Sequence, residues 1–248
     1  MPWRIDYNPY QIFISEVMLQ QTQVERVKQK FPDFIDKYPD FSMLAKSGLE
    51  DVFQVWQGLG YNRRASALRE SAKIIVSDHN GILPDNPEIL KKLPGIGNAT
   101  SSSIVAFAFN KPVVFLETNI RTIFIHHFFP DNSLVGDDLI LPLATIALDK
   151  SNPRKWYSAL MDYGTMLKKE FGNLTRQSKA YKKQTPFKGS HRQLRGAVLK
   201  LLIMHKKLTL AKFEHLTEYD RPLLKEILSQ LEKENLVKES EEFYRIAE

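Results

Sequence analysis

From Tyr10 to Phe171 apolar side chains return at three- and four-residue intervals, and strict alternation is confined to the last dozen residues. That periodicity predicts a mainly α fold. Asn8 before Pro9 is an N-cap with proline at the first helical position, and it opens a helix expected to run to about Lys30. Further helices are expected near 41–46, 48–56, 62–78, 87–92, 98–109, 118–128, 137–148 and 153–170, with a turn at Asn80-Gly81. Phe31, Phe34, Phe41, Phe53 and Trp56 fall where such helices bury bulk, and His126-His127, inside an apolar run, read as packing or capping groups.

The 248 residues suffice for one large unit and a small appendix. Residues 177–190 hold lysines, Pro186 and Gly189 without a clear period, which places a boundary near 186 and divides the chain into 1–185 and 186–248. Beyond it helices are expected at about 190–205, 209–216 and 221–234. Two short strands, 236–238 and 243–246, then flank an acidic turn, and three helices followed by a hairpin make a winged-helix-like module.

Several functions are excluded early. The chain has no cysteine, so disulfides, cysteine-ligated zinc, an iron-sulfur cluster and a thiol nucleophile are ruled out, and its six histidines form no H-x-x-x-H pair. No stretch approaches eighteen apolar residues, which argues against a membrane-spanning helix. The segment from Met1 to Asp6 lacks the charged and apolar regions of a signal peptide, so a cytoplasmic, nucleoid-associated protein is expected. Net charge is +6, yet residues 168–200 carry ten basic side chains against Glu170 alone, leaving the rest of the chain at −3. A basic strip on a near-neutral body suits either a polyanion partner or a solvated linker.

Two stretches stand out chemically. In 93–100, Leu-Pro-Gly-Ile-Gly-Asn-Ala-Thr, a tight loop joins two helical patterns; Gly95 and Gly97 hold no side chain against an approaching phosphate, and the amides from Asn98 onward open the next helix. A helix on each side and the proline make this a helix-hairpin-helix pattern. In 15–24, Ser-Glu-Val-Met-Leu-Gln-Gln-Thr-Gln-Val, Glu16 lies within an apolar run where its proton affinity should rise, which suits proton donation near neutrality; the alternative is a glutamate on a wet helical face. Gln20 and Gln23 are expected on the face of Glu16, an acid and amides able to read a base.

These stretches, with Met1-Pro2-Trp3-Arg4, Gly58-Leu59-Gly60-Tyr61, Leu116-Glu117-Thr118-Asn119-Ile120 and Leu160-Met161-Asp162-Tyr163-Gly164, resemble in order the adenine DNA glycosylases of the helix-hairpin-helix superfamily, the MutY type. The resemblance covers about residues 1–170. It implies two helical lobes with DNA across the cleft, the N-terminal segment packing with residues after about 113. It implies that Glu16 protonates the purine and helps position water, that Glu117 stabilises the oxocarbenium-like sugar, and that Asn119 supports it. Trp3, Val24 and Asp162 match positions around the extruded base. Gln21, Thr22, Leu59 and Tyr61 match those entering the duplex beside the opposite base, and Gln20, Gly95, Gly97 and Asn98 join them on the DNA side. The implied activity is excision of adenine opposite 8-oxoguanine or G by a monomer, on a base swung out of the helix at a cost of about a few kcal/mol.

The sequence departs from that family in four places. The second carboxylate is usually Asp; Glu117 is one methylene longer, and a misplacement on the order of 1 Å can cost about a hundredfold in rate. Ala99 stands where bifunctional relatives carry a Schiff-base lysine, so no lysine-dependent AP lyase is expected. The usual iron-sulfur loop is replaced by a cysteine-free basic stretch, whose Lys179, Lys182 and Lys183 are expected to keep the phosphate contact by charge and packing. No cofactor is expected, with a cation at the hairpin carbonyls left open. The 8-oxoguanine-reading Nudix-like domain is replaced by the winged-helix-like tail, which binds either DNA, through Lys188, Arg192 and Arg195, or a protein. Two other readings stay open: a thymine or uracil mismatch glycosylase, and a non-catalytic protein that binds distorted duplex.

Overall fold

A computed structural model describes residues 1–130, 134–217 and 219–248. After a 3-10 turn (Pro2–Arg4), α1 (Pro9–Leu19), α2 (Val24–Lys37), α3 (Phe41–Lys46), α4 (Leu49–Trp56), α5 (Arg63–His79), α6 (Pro87–Leu90) and α7 (Asn98–Phe109) pack around Phe13, Phe34, Trp56 and Leu68. α1 runs through the middle of this lobe, against α2, α5 and α7. A second group, α8 (Thr118–Phe128), α9 (Asp137–Ala147) and α10 (Pro153–Phe171), is built on the α8–α10 contact and joins the first where α10 meets α7. The five bulky aromatics named above are all core residues.

The first helix is shorter than its sequence suggests. Asn8 caps it by accepting from the Gln11 amide (3.2 Å), and Pro9 follows at the first helical position, but the chain turns at 20–22, where Gln21 has φ of 53°, and resumes as α2. The reason lies far along the chain: the Arg64 guanidinium on α5 donates to the carbonyls of Val17, Met18 and Gln20, satisfying the acceptors that a continuing helix would have used. Gln20 and Gln23 therefore reach the cleft from a loop and not from the helical face of Glu16.

The hairpin between α6 and α7 is fixed from two sides. Gly95, at φ of 74°, tolerates only glycine in comfort, since a Cβ there would lie 3.0 Å from Ala67 Cβ. Ser71 of α5 donates to the Pro94 carbonyl (3.1 Å), and Gln20 donates to that of Gly95 (3.1 Å), so two of the hairpin carbonyls open to a cation are already in use.

The N-terminal segment bridges the two groups. Trp3 packs edge-on against Phe31 of α2, Arg4 donates to both Asp162 oxygens on α10 (3.0 and 3.2 Å), and Tyr7 lies under the Arg154 guanidinium. After α10 a second 3-10 turn (Leu174–Gln177) rests on α8, and its exit is stitched to the start of α9: the Val135 amide donates to Gln177 (2.6 Å) and the Lys179 amide to Val135 (2.9 Å). Backbone pairing and the buried Thr175 and Ser178 thus order the segment where the resemblance implies an iron-sulfur cluster, and with no cysteine in the chain the residues do not fit one.

The tail forms α11 (His191–His205), β1 (Lys207–Thr209), α12 (Leu210–Leu216), α13 (Arg221–Lys233), β2 (Val237–Ser240) and β3 (Phe243–Ile246), with antiparallel sheet order β1-β3-β2. This is the winged-helix pattern with one strand more than the sequence suggested: β1 is three residues long, too short to show a period, and exists because Leu208 pairs with Tyr244 across the sheet. The tail meets the first lobe through Arg192, which donates to the Tyr61 hydroxyl (2.8 Å), and through the ion pairs Arg63–Glu234 (3.7 Å) and Lys206–Glu50. No helix among the described residues is long and apolar enough to cross a membrane.

Candidate active site

A cleft of about 720 Å³ opens beside the hairpin, between α1, the loop 20–23, α7, the start of α8 and α10. Glu16 projects into it from α1, and Glu117 from the N-cap of α8. Glu16 Oε2 lies 2.6 Å from the Ser103 hydroxyl of α7. Burial among apolar neighbours pushes its carboxyl up from 4.5 to about 7; Ser103 and Arg4 oppose the rise, and the nearby Glu117 adds to it. At neutral pH this acid is therefore poised between its two states, as proton donation requires.

Glu117 uses its longer side chain in a local contact. Its side chain folds back so that Oε1 accepts from the amides of Asn119 (2.7 Å) and Ile120 (3.3 Å), capping its own helix. The added length is spent on that loop. Burial raises its carboxyl, while these amides and Arg121 pull it down without cancelling the rise. Arg121 is itself held by a bidentate pair with Asp137 at the start of α9 (2.7 Å each).

The structure brings most of the sequence-derived site together. Trp3, Val24, Asn119, Asp162, Gln20, Gln21 and Thr22 all line the cleft with the two glutamates. Asp162 is exposed and engaged by Arg4, Gln20 spends its amide on Gly95 and Thr100, and Thr22 accepts from Arg64 (3.0 Å). Ala99 offers only a methyl to the cleft wall. Gly95, Gly97 and Asn98 sit at the hairpin and the first turn of α7. Lys179, Lys182 and Lys183 are exposed, and none forms an ion pair among the described residues.

Leu59 is a correction. It is 2% exposed and packs into the core, so it cannot enter a duplex from this position. Its turn is clamped from beneath, since Trp56 Nε1 donates to the Gly60 carbonyl (3.0 Å) and Arg64 to those of Leu59 and Gly60 (3.2 Å each). The half-buried side chain at the tip is Tyr61, with Arg64 and Arg192 each 5.6 Å from its ring centre. Sequence reasoning also missed Arg64 and Ser103. For Arg64 the chain carried no local signal; for Ser103 it did, as hydroxyls within a helix otherwise rich in Ile, Val, Ala and Phe. His127 meets the Tyr163 hydroxyl (2.6 Å) and His126 packs on Phe171, as packing groups should.

The position of Asn119 depends on Gly164. A Cβ on Gly164 would lie 2.4 Å from the Asn119 carbonyl oxygen and 2.7 Å from its Cβ, so α8 and α10 approach to backbone contact there. Gly164→Ala is expected to force the helices apart, costing about 1–3 kcal/mol and lowering Tm by several degrees, with Asn119 and Glu117 displaced together. Thermal unfolding within 1 °C of the wild type would refute that packing.

Residues 14–136 match the HhH-GPD superfamily base excision DNA repair proteins. An adenine DNA glycosylase of Buchnera aphidicola subsp. Baizongia pistaciae is 35% identical over 171 residues, 67% of this chain and 48% of that protein. One from Mycobacterium tuberculosis is 42% identical over 124 residues, 50% of this chain and 41% of its own length. The chain thus spans about half the length of these relatives or less. Among solved structures, a thermostable thymine-DNA glycosylase superposes with a TM-score of 0.59 at 25% identity, over 67% of this chain and 78% of that one.

Proposed function

The chain belongs to the HhH-GPD superfamily of base excision DNA repair proteins, and on that premise we propose that it is a monofunctional DNA glycosylase that removes mispaired adenine, opposite 8-oxoguanine or G, from double-stranded DNA. The observation that carries this reading is Glu16: a carboxyl raised to about 7, in a cleft large enough for a flipped base, facing a second carboxylate. Adenine is favoured by the adenine glycosylases among its relatives and by the stretch 15–24.

In this mechanism the protonated Glu16 gives its proton to a purine ring nitrogen as the bond from sugar to base breaks. The positive charge left on the sugar ring is stabilised by Glu117 in its ionised form, held by the amides of α8 at the edge of the cleft. Water then adds to the anomeric carbon and returns its surplus proton to Glu16, which restores the enzyme. Ala99 supplies no amine, so the product is an abasic site and not a cleaved strand.

The test is incubation with duplexes holding A, T or U opposite G or 8-oxoguanine, followed by alkali. Breakage at A supports the proposal. Breakage confined to T or U transfers the same site to a mismatch glycosylase, and specific binding without an abasic product on any duplex overturns the catalytic reading.

DNA is expected to follow the exposed lysines after α10 and the amino end of α11, where Lys188 and Arg192 line one shallow pocket and Arg192 meets Tyr61. Neutralising Lys179, Lys182 and Lys183 together should weaken binding on all sequences and reduce the salt slope by about 2–3. An unchanged slope would remove this segment from the interface.

A further inference from the structure

The Ser103 hydroxyl oxygen has two acceptors in range, Glu16 Oε2 at 2.6 Å and the Thr100 carbonyl, one turn earlier in α7, at 3.0 Å. A hydroxyl has one proton to donate and lone pairs with which to accept. Both contacts are hydrogen bonds at once only if one partner is itself a donor. A carbonyl never is; a protonated carboxyl is. In the acid form of Glu16, therefore, its O–H donates to Ser103, and Ser103 donates onward to Thr100. In the ionised form Ser103 turns its single proton to the carboxylate, a shorter and stronger bond. In neither form does the Glu16–Ser103 contact break.

We propose that Ser103 is the positioning residue for Glu16, a hydroxyl that reverses its proton so that the carboxyl keeps one orientation before and after proton transfer. This rests on the reading of Glu16 as the acid. Its value follows from the reaction: the group that protonates the base must stay in place, ionised, to take a proton back from water. Among the described residues, Ser103 is the one side chain hydrogen-bonded to Glu16. Arg4 faces it from the N-terminal turn and Glu117 from the start of α8; Asp162, already paired with Arg4, and Lys168 line the same cleft from α10, and α2 lines it with Val24 alone. The neighbouring Ser101 spends its hydroxyl on its own helix, at the Asn98 carbonyl (3.0 Å), so Ser103 is the serine that reaches across to α1.

Ser103→Ala, with Ser103→Thr as the conservative control, tests this by two readouts. Alanine is the better helix former, so the fold is kept. Without the hydroxyl, the Glu16 carboxyl, followed by NMR with carboxyl-labelled glutamate, should titrate about one pH unit higher, since a hydrogen bond to the charged form is lost. The alkaline limb of single-turnover excision should move by the same amount, and the plateau rate should fall roughly ten- to hundredfold. Threonine should restore both. An unchanged Glu16 titration in Ser103→Ala overturns the inference whatever the activity. A shifted titration in a protein that excises no base leaves the contact standing and overturns the role assigned to Glu16.

Discussion

Glu16→Gln is expected to lose base excision by about a thousandfold while making the protein harder to unfold at pH 8. Glutamine keeps the shape of the side chain and an oxygen for the Ser103 proton, so the cleft is preserved. What it removes is a proton that can be given up near neutrality, and general acids contribute about 10²–10⁴ in rate. The gain in stability has the opposite sign because the site works against the fold. The folded carboxyl binds its proton more tightly than the unfolded one, about 7 against 4.5. Its contribution is therefore fully present below pH 4.5 and is lost as pH rises through 7, by about 3 kcal/mol. Glutamine carries no such loss. Urea unfolding at pH 5 and pH 8 should show the gap between variant and wild type widening with pH, and single-turnover kinetics at pH 7 should show the loss of rate. A gap independent of pH would mean that Glu16 is well solvated, and the acid assigned to it would lose its physical basis.

That trade explains which parts of the molecule its sequence discloses. Helices α3 to α10 follow from apolar spacing, caps and turns, because each needs only its own residues and one buried face. The hairpin is legible because Gly95 serves backbone geometry, which is local. Glu16 is legible for a related reason: a charge inside an apolar run costs stability on any helix, and the run is contiguous. What escapes are features made between segments. The end of α1 is decided by an arginine more than forty residues later, and β1 by a strand at the far end of the tail. Leu59 turns inward because the carbonyls of its turn are held from below, which its glycine-rich surroundings do not reveal. The extra methylene of Glu117 suggests a misplaced oxygen when the residue is taken alone, and becomes a helix cap once the amides of Asn119 and Ile120 are in place.

Arg64→Met should be the most damaging single change for stability, lowering Tm by about 10 °C and unfolding free energy by roughly 3–5 kcal/mol. Six oxygens lie within hydrogen-bond range of the four terminal N–H protons of one guanidinium and share them: the carbonyls of Val17 (2.9 Å), Met18 (2.8 Å) and Gln20 (2.6 Å) at one nitrogen, and Thr22 Oγ1 (3.0 Å) with the carbonyls of Leu59 and Gly60 (3.2 Å each) at the other. Burial lowers its pKa to about 10, which leaves the charge intact at neutral pH, and the ring of Trp56 lies 5.3 Å from its centre. Methionine fills much of the volume and supplies no donor, so partly buried carbonyls at the end of α1 are left without partners. Lysine, with one ammonium, can serve one cluster of oxygens but not both, and should recover only part of the loss. The two segments that Arg64 ties together, 20–22 and 58–61, are the loop on the cleft and the turn that presents Tyr61. Excision by Arg64→Lys, measured well below its Tm, should therefore fall more steeply than its stability does, because the loop beside Glu16 loses its anchor while the core around Trp56 does not. Stability within 1 kcal/mol of the wild type in Arg64→Met would show that water satisfies those carbonyls instead, and that the break after α1 has another cause.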